Sequence, residues 1–327
     1  MRAVIAERHG GPEVLTVGRR PVRNPDRGEL LVELTAAGVN FKDVYERQGT
    51  TPLKAPLVPG SEGAGVVLAV GADVAGVRPG DRVAWCQVPG SYAEQVLVPA
   101  SAAVPVPDDI GDQDAAAIML QGLTAHYLTT STYDADKGEY ALVHAAAGGL
   151  GQHLVRLLAG RGVRVIAAVS TPEKAAVTRA AGAHEVVIGA WNSENGAERA
   201  AQVRELTDGR GVDVVYDGVG RDTFDAGLAA LRPRGVFVLL GAASGPVPPL
   251  DPQSLASRGS LYLTRPTLVH HATDPAELAA RAGDVFAWLR DGTLSTAIAG
   301  RYPFEEASRA HEALQSRTTT GKLLLLP

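Results

Sequence analysis

The rhythm of apolar and polar residues changes near residue 112. Before it, apolar residues fall in short runs at 2–6, 29–37, 63–70, 82–85 and 93–99. Turn-forming stretches separate them: Pro25-Asp26-Arg27-Gly28, Pro59-Gly60 and Arg78-Pro79-Gly80-Asp81. Short strands at this spacing predict a compact, partly closed β domain. Residues 112–130 are rich in Ala and Leu with helical periodicity. Beyond Tyr140, apolar runs at 140–145, 163–169, 185–188, 212–216 and 236–240 alternate with helix-like segments at 151–159, 172–181, 197–206 and 223–231. That alternation predicts a parallel sheet with helices on its faces. A run at 261–264, helices at 275–290 and 304–315 and a strand at 322–326 follow, with no repeat, low-complexity tract or long linker.

The chain has 327 residues, which at about 150 per domain predicts two domains. Lys and Arg total 31 against 36 Asp and Glu, a formal net charge of −5. That balance argues against a nucleic-acid binder working through a basic surface. Cys86 is the single cysteine, so an internal disulfide and a multi-cysteine zinc site are excluded. The opening stretch has no signal-peptide-like apolar run. No apolar run approaches the roughly 20 residues of a membrane span. A cytoplasmic protein is the expectation. Cys86 itself reads as a small buried hydrophobe.

Most information lies in residues 140–174. A strand runs into Ala146-Ala147-Gly148-Gly149-Leu150-Gly151, and a helix follows. This is the dinucleotide fingerprint with Ala in its first glycine position. Gly148 lets the backbone approach a pyrophosphate, Gly151 lets the helix pack on the strand, and the helix N-terminus presents free N–H groups. An ordinary tight turn is the competing reading, but a second strand about 20 residues on supplies the confirming context. That strand ends Ala168-Val169-Ser170-Thr171-Pro172 with no acid at its tip, and Lys174 follows. An NAD site would place Asp or Glu there, whereas a hydroxyl and a nearby cation suit a 2′-phosphate, which favours NADP. Glu173 would repel that phosphate if it pointed inward; as a solvated acid it is favoured by the helix N-terminus.

At this point the chain resembles the zinc-free quinone oxidoreductase branch of the medium-chain dehydrogenase/reductases, the group that includes zeta-crystallin, and within it the bacterial NADPH:quinone reductases. The motifs run through the whole chain in order: Ala36-Ala37-Gly38-Val39-Asn40-Phe41-Lys42-Asp43-Val44-Tyr45, Pro59-Gly60-Ser61-Glu62-Gly63, Pro79-Gly80-Asp81-Arg82-Val83, Gln121-Gly122-Leu123-Thr124-Ala125, the glycine loop, Val215-Tyr216-Asp217-Gly218-Val219-Gly220, Gly259-Ser260-Leu261-Tyr262 and Ala310-His311-Glu312. The resemblance implies a GroES-like, mostly β catalytic domain over 1–120. It implies a Rossmann doubly wound NADPH domain over 121–265, and a segment 266–327 returning to the catalytic domain. Zinc-using relatives bind their metal through a Cys and a His at positions that here hold Asn40 and Ser61. Neither is a good zinc ligand, so no metal is expected. Without a Lewis acid, a substrate that accepts hydride readily fits best, a quinone or an activated enone.

The resemblance also implies specific contacts. Asn40, Phe41, Lys42, Asp43, Val44 and Tyr45 would face the nicotinamide ribose and substrate, and Tyr127 would touch the cofactor. Gly148, Gly149, Leu150 and Gly151 would lie under the pyrophosphate. Ser170, Thr171, Pro172, Glu173 and Lys174 would surround the 2′-phosphate. Val219, Gly241, Ala242, Ala243, Ser244, Pro266, Thr267 and Leu268 would line the nicotinamide half, and Arg317 would return to the phosphate end. NADPH would lie across the cleft between the domains, at the carboxyl ends of the parallel strands. Asn40 and Tyr45 are the catalytic candidates, as hydrogen-bond donors to the developing quinol oxygen. Asp43 has a competing role as a loop anchor, and Tyr45 one as a core or rim residue. His144 reads as a satisfied core histidine, and His270-His271 as a surface loop. Two departures from the family stand out: Gly189, or the nearby Trp191, where an adenine-side Tyr is usual, and Gln121 where a Lys is usual. Reduction of α,β-unsaturated ketones or enoyl thioesters, and a non-catalytic NADPH-binding role, remain the alternatives. The run 261–264 would be a sheet edge, and pairing with its copy would make a homodimer.

Overall fold

The computed structural model of the protein describes residues 1–50, 53–192, 194–316 and 319–327. Along the chain come β1 (Arg2–Ala6), β2 (Leu15–Arg19), β3 (Glu29–Val39), α1 (Phe41–Gln48), β4 (Glu62–Val70), β5 (Arg82–Cys86), β6 (Gln95–Pro99) and β7 (Val104–Pro105). Then follow α2 (Asp112–Tyr127), β8 (Tyr140–His144), α3 (Gly149–Gly160), β9 (Arg164–Val169), α4 (Pro172–Ala180), β10 (Glu185–Ile188), α5 (Gly196–Glu205) and β11 (Val212–Asp217). The last are α6 (Phe224–Ala230), β12 (Leu231–Leu239), α7 (Gln253–Ser257), β13 (Tyr262–Thr264), α8 (Pro275–Arg290), β14 (Ile298–Pro303), α9 (Ala307–Gln315) and β15 (Lys322–Leu326).

The chain divides into two units. The first comprises Met1–Leu123, His271–Gly292 and Thr296–Pro327; the second, Thr124–His270 and Thr293–Ser295.

The first unit is built on the sheet β14-β15-β3-β4-β5-β7, with β6 also pairing β3. In β3, Leu30, Val32 and Leu34 are buried while Glu33 is exposed, the period of two that a half-covered strand requires. Its core joins β3 and β4 residues to Trp85, Tyr92, Phe304 and Leu325. β15 enters antiparallel to β3, with Leu323 opposite Val39 and Leu324 opposite Gly38. That register brings the start of β15 to the start of α1.

In the second unit the order is β10-β9-β8-β11-β12-β13, and every pairing is parallel. This is the doubly wound order whose direction of growth reverses between the first and fourth strands, here β8 and β11. Both are covered on two faces, so β11 is buried at all six positions. At the other end of these strands, Asp213 accepts from Tyr140 N at 2.8 Å and from Arg210, and pairs with Arg232 Nε at 2.5 Å.

The pattern does not predict helix α1, α9 starts at Ala307 after a 3-10 turn rather than at 304, and α2 is shorter than expected. The periodicity predicts helix to residue 130, but α2 ends at Tyr127 and a π-helical turn, Leu128–Thr132, follows. The Thr129 and Thr130 hydroxyls donate back to Ala125 O at 2.9 Å and His126 O at 2.8 Å, which competes with regular winding.

Candidate active site

Five loops leave the carboxyl edge of the parallel sheet, and the sequence-predicted cofactor residues of the second unit other than Tyr127, which ends α2, sit on them. Gly148, Gly149, Leu150 and Gly151 follow β8; Ser170, Thr171, Pro172, Glu173 and Lys174 follow β9. Val219 follows β11, Gly241, Ala242, Ala243 and Ser244 follow β12, and Pro266, Thr267 and Leu268 follow β13. The topology therefore gathers residues from five separate stretches along one edge, beside the switch point where α/β sheets take their ligands.

The β8–α3 loop is shaped by backbone crowding. Ala145 adopts φ +51°, a conformation that costs an L-residue about 1–2 kcal/mol. Its carbonyl accepts Gly148 N at 2.9 Å. A Cβ on Gly151 would collide with that carbonyl oxygen and stand 2.7 Å from Ala146 Cα. Only glycine lets α3 start this close to β8. Gly148 caps α3, and Gln152 N donates to Gly148 O at 2.9 Å. The N–H groups of Gly149, Leu150 and Gly151 precede the first intrahelical bond, so the helix end is formed to bind an anion. This cradle fits a pyrophosphate.

After β9, Lys174 Nζ donates to Ser170 Oγ at 3.1 Å, and Thr171 caps α4 through Lys174 N. Glu173 is exposed, and a hydrogen bond from Thr171 holds its carboxyl below the usual range. It is thus a solvated acid at the helix start, and the polar groups at the β9 tip are a hydroxyl and an ammonium.

The loops after β11 and β12 are laced together. Asp217, fully buried, accepts from Val219 N at 2.7 Å, Gly220 N at 3.2 Å and Thr223 Oγ1 at 2.7 Å. Ser244 donates to Val219 O through both N and Oγ at 2.8 Å. Nearby, Arg265 donates to Leu239 O and Leu240 O. Tyr127 is buried, which pushes its phenol up to about 12. The lacing was not foreseen from the sequence; the Asp217-Gly218-Val219-Gly220 turn signal was its only trace.

The remaining candidates lie in the first unit, at the start of α1. Asn40 is its N-cap residue. Asn40 Nδ2 donates to Glu62 Oε1 at 2.7 Å, and Lys322 Nζ donates to Asn40 Oδ1 at 2.8 Å. Lys322 also pairs with Glu62, whose other oxygen accepts Leu120 N at 2.7 Å. Phe41 and Tyr45 are partly exposed, with ring centroids 6.3 Å apart. Lys42 pairs with Glu46. Asp43 and Val44 are buried. The Asp43 carboxylate is taken by Asn40 N at 2.8 Å, Ser61 Oγ at 3.0 Å and Tyr92 OH at 3.0 Å. These bonds commit the Asp43 carboxylate to anchoring the turn, the competing role. Burial, then the Glu46 carboxylate, push its carboxyl up to about 7.

From Asp43 a hydrogen-bonded chain runs through Tyr92 OH to His311 Nε2 at 3.2 Å and from His311 Nδ1 to Arg47 at 3.3 Å. Arg47 also donates to Gly10 O and Gln315 Oε1. Because Arg47 can only donate, His311 Nδ1 accepts and Nε2 carries the proton. Glu62, Lys322, Tyr92, Arg47 and His311 had no role assigned from the sequence, where they are scattered over 276 residues, from Arg47 to Lys322.

Other expectations met mixed outcomes. Cys86 is buried, and its thiol is pushed up to about 12. His144 is buried with its ring edge-on to Trp191 at 4.6 Å, but its Nε2 has no partner among the described residues, so it is not fully satisfied. Trp191 lies in the core of the second unit, and Gly189 at φ +138° has the Arg199 guanidinium against it. His270 and His271 end a 3-10 turn. Arg317 lies outside the described residues. Among the described residues no group of three or more His, Cys, Asp and Glu gathers to hold a metal, and no helix is long and apolar enough to cross a membrane.

A parallel sheet in the 3-2-1-4-5-6 order, with a glycine loop at its switch point and a separate, mostly antiparallel β unit, is the build of a medium-chain dehydrogenase/reductase. Family models agree: residues 26–108 match the alcohol dehydrogenase GroES-like domain and 181–325 the zinc-binding dehydrogenase domain. A quinone oxidoreductase of Pseudomonas aeruginosa is 44% identical over 323 residues, covering 98% of this chain and 97% of its own. A 2-haloacrylate reductase of a Burkholderia species is 39% identical, covering 99% and 98%. The solved structure of Escherichia coli quinone oxidoreductase complexed with NADPH superposes with a TM-score of 0.95 at 37% identity, covering 100% of each chain. The chain belongs to the quinone oxidoreductase family of the medium-chain dehydrogenase/reductases and is an oxidoreductase.

The hydrogen-bonded chain makes a prediction about His311. Burial, then the Arg47 charge, push its imidazole down to about 3. An unfolded histidine protonates near pH 6.5. His311's contribution to stability is therefore complete above about pH 6.5 and is lost as pH falls toward about 3. Nitrogen NMR should find a neutral ring protonated on Nε2 throughout pH 5–7. An imidazolium appearing in that interval would refute the arrangement.

Proposed function

We propose that the protein is an NADPH-dependent, zinc-independent reductase of quinones. The observation that carries the cofactor is the β9 tip: Ser170 and Lys174 stand together there, and Glu173 is turned to Thr171. The NADPH complex of the Escherichia coli relative supports it. When bound, NADPH supplies the hydride; the protein binds, orients and excludes water. The amides of Gly149, Leu150 and Gly151 hold the pyrophosphate and Lys174 the 2′-phosphate. The laced loops carrying Val219 and Ser244, with Pro266, Thr267 and Leu268, orient the nicotinamide. Phe41 and Tyr45 provide an aromatic wall for a flat acceptor. Tyr45 and Asn40 donate hydrogen bonds to the oxygen on which negative charge develops.

Zinc independence is supported by the chemistry around Asn40. The positive charge there is the Lys322 ammonium, already held by two oxygens. A second reading, reduction of an activated alkene, is favoured by the similarity to the 2-haloacrylate reductase. A panel of quinones and enones with NADPH, with and without prolonged chelation, tests all of these points. Quinones should be reduced fastest, with no loss on chelation. Faster enone turnover would favour the second reading, a stoichiometric zinc lost with activity would overturn metal independence, and no NADPH oxidation with any acceptor would leave only cofactor binding.

Lys174→Ala should weaken NADPH by about 1–3 kcal/mol, the loss of a charge-assisted hydrogen bond, and leave NADH nearly unchanged. Equal losses would remove Lys174 from the 2′-phosphate site.

The cytoplasm is the proposed location, and a homodimer the proposed assembly. β13 ends the sheet order and carries the exposed Tyr262, 61% accessible, on a strand edge that two-fold pairing would cover. Light scattering at micromolar concentration should return twice the chain mass, and Tyr262→Pro, which removes a ladder donor, should shift it to one. A wild-type mass of one chain would rule the dimer out.

A further inference from the structure

The start of α1 contains a buried ion pair, Lys322 with Glu62, and both partners hold the same amide. Lys322 is 3% exposed, Glu62 0% and Asn40 5%. The ammonium bonds Asn40 Oδ1 at 2.8 Å and Glu62 Oε1; the same carboxylate oxygen takes Asn40 Nδ2 at 2.7 Å. The carboxamide is thus gripped at both ends by opposite charges. Turned over, it would present N–H groups to an ammonium and its oxygen to a carboxylate, so one orientation is enforced. Of the two Nδ2 hydrogens, one goes to Glu62; among the described residues the other makes only a long hydrogen bond, 3.4 Å, to Gly38 O, which a stronger acceptor could replace. A cation on the amide oxygen also polarises the group and strengthens its N–H as a donor. Room for the grip comes from Gly38: a Cβ there would fall on the Glu62 carboxylate and within 2.7 Å of Lys322 Cε.

We propose that Lys322 is a positioning residue of the reductase, acting with Glu62 to aim and polarise the second Asn40 N–H toward the substrate oxygen. The proposal rests on the reading of Asn40 as a donor to that oxygen. The lysine itself touches no substrate. Its cost is the desolvation of two charges, which an apolar pair of similar volume would avoid.

That cost supplies the test. Lys322→Met or Glu62→Gln alone leaves one buried charge unpaired and destabilises the fold. The double variant Lys322→Met, Glu62→Gln removes both charges and should recover wild-type melting temperature and NADPH affinity, while leaving the Asn40 amide able to turn over. With a benzoquinone as acceptor, its kcat should fall by about tenfold or more, with KM little changed, because the lost hydrogen bond matters most where charge develops. A stable double variant with wild-type kcat overturns the proposal. Asn40→Ala separates the two levels. If it is slowed while the double variant is not, the positioning role alone is wrong; if its kcat is unchanged, the donor reading fails and the proposal with it.

Discussion

A carboxylate removed from water needs a partner on each oxygen, and Glu62 gathers its partners from three other parts of the chain. They are the Asn40 amide at the start of α1, the Lys322 ammonium at the start of β15, and the Leu120 N–H in α2, with Glu62 itself on β4. Desolvating such a pair costs several kcal/mol per ion unless geometry returns it. The neighbouring structure is therefore constrained at once. Gly38 must lack a side chain, β15 must pair β3 in the register that sets Leu324 against Gly38, and α2 must pass with an amide facing the carboxylate. One lysine in a strand that otherwise reads Leu-Leu-Leu-Leu is the mark of this constraint.

The second unit obeys a different logic. Its cofactor edge is assembled mainly from backbone: helix N–H groups after β8, a left-handed Ala145, and two loops tied by Asp217 and Ser244. Backbone groups need no rotamer ordering when a phosphate arrives, and a parallel sheet delivers them all at one edge. Specificity is then left to a few side chains at strand tips, such as Ser170 and Lys174.

These two logics explain what could be read from the sequence. The alternation of strands and helices and the glycine loop are local: period, turn residues and a required glycine sit within 35 residues of one another, from Tyr140 to Lys174. The Glu62–Lys322 and Tyr92–His311 contacts span 260 and 219 residues and depend on sheet register. A single sequence carries no period or spacing that announces such pairs. Burial of His144 was legible because it sits on an apolar strand, but its unpartnered Nε2 was not, since burial says nothing of partners. Asp43 carried two readings, ligand contact and anchor. The Ser61 and Tyr92 hydroxyls that support the anchor reading lie 18 and 49 residues away.

Charge commitment also bears on the substrate. A 2-haloacrylate carries a carboxylate before it reacts, and holding it calls for a cation that can be spared. On α1, Lys42 is paired with Glu46, and Arg47 is spread over Gly10 O, His311 and Gln315. Lys322 is divided between Glu62 and Asn40. On the nucleotide side, Arg265 holds the carbonyls of Leu239 and Leu240, and Arg221 pairs with Asp222. To bind an anion, Lys322 would have to be drawn from Glu62, which would be left as a buried carboxylate. A quinone makes no such demand. It is neutral on arrival and acquires charge only as hydride is transferred, where oriented N–H and O–H dipoles are enough. The proposed neutral acceptor would leave the Lys322–Glu62 pair undisturbed, although relatives of this chain are named for each.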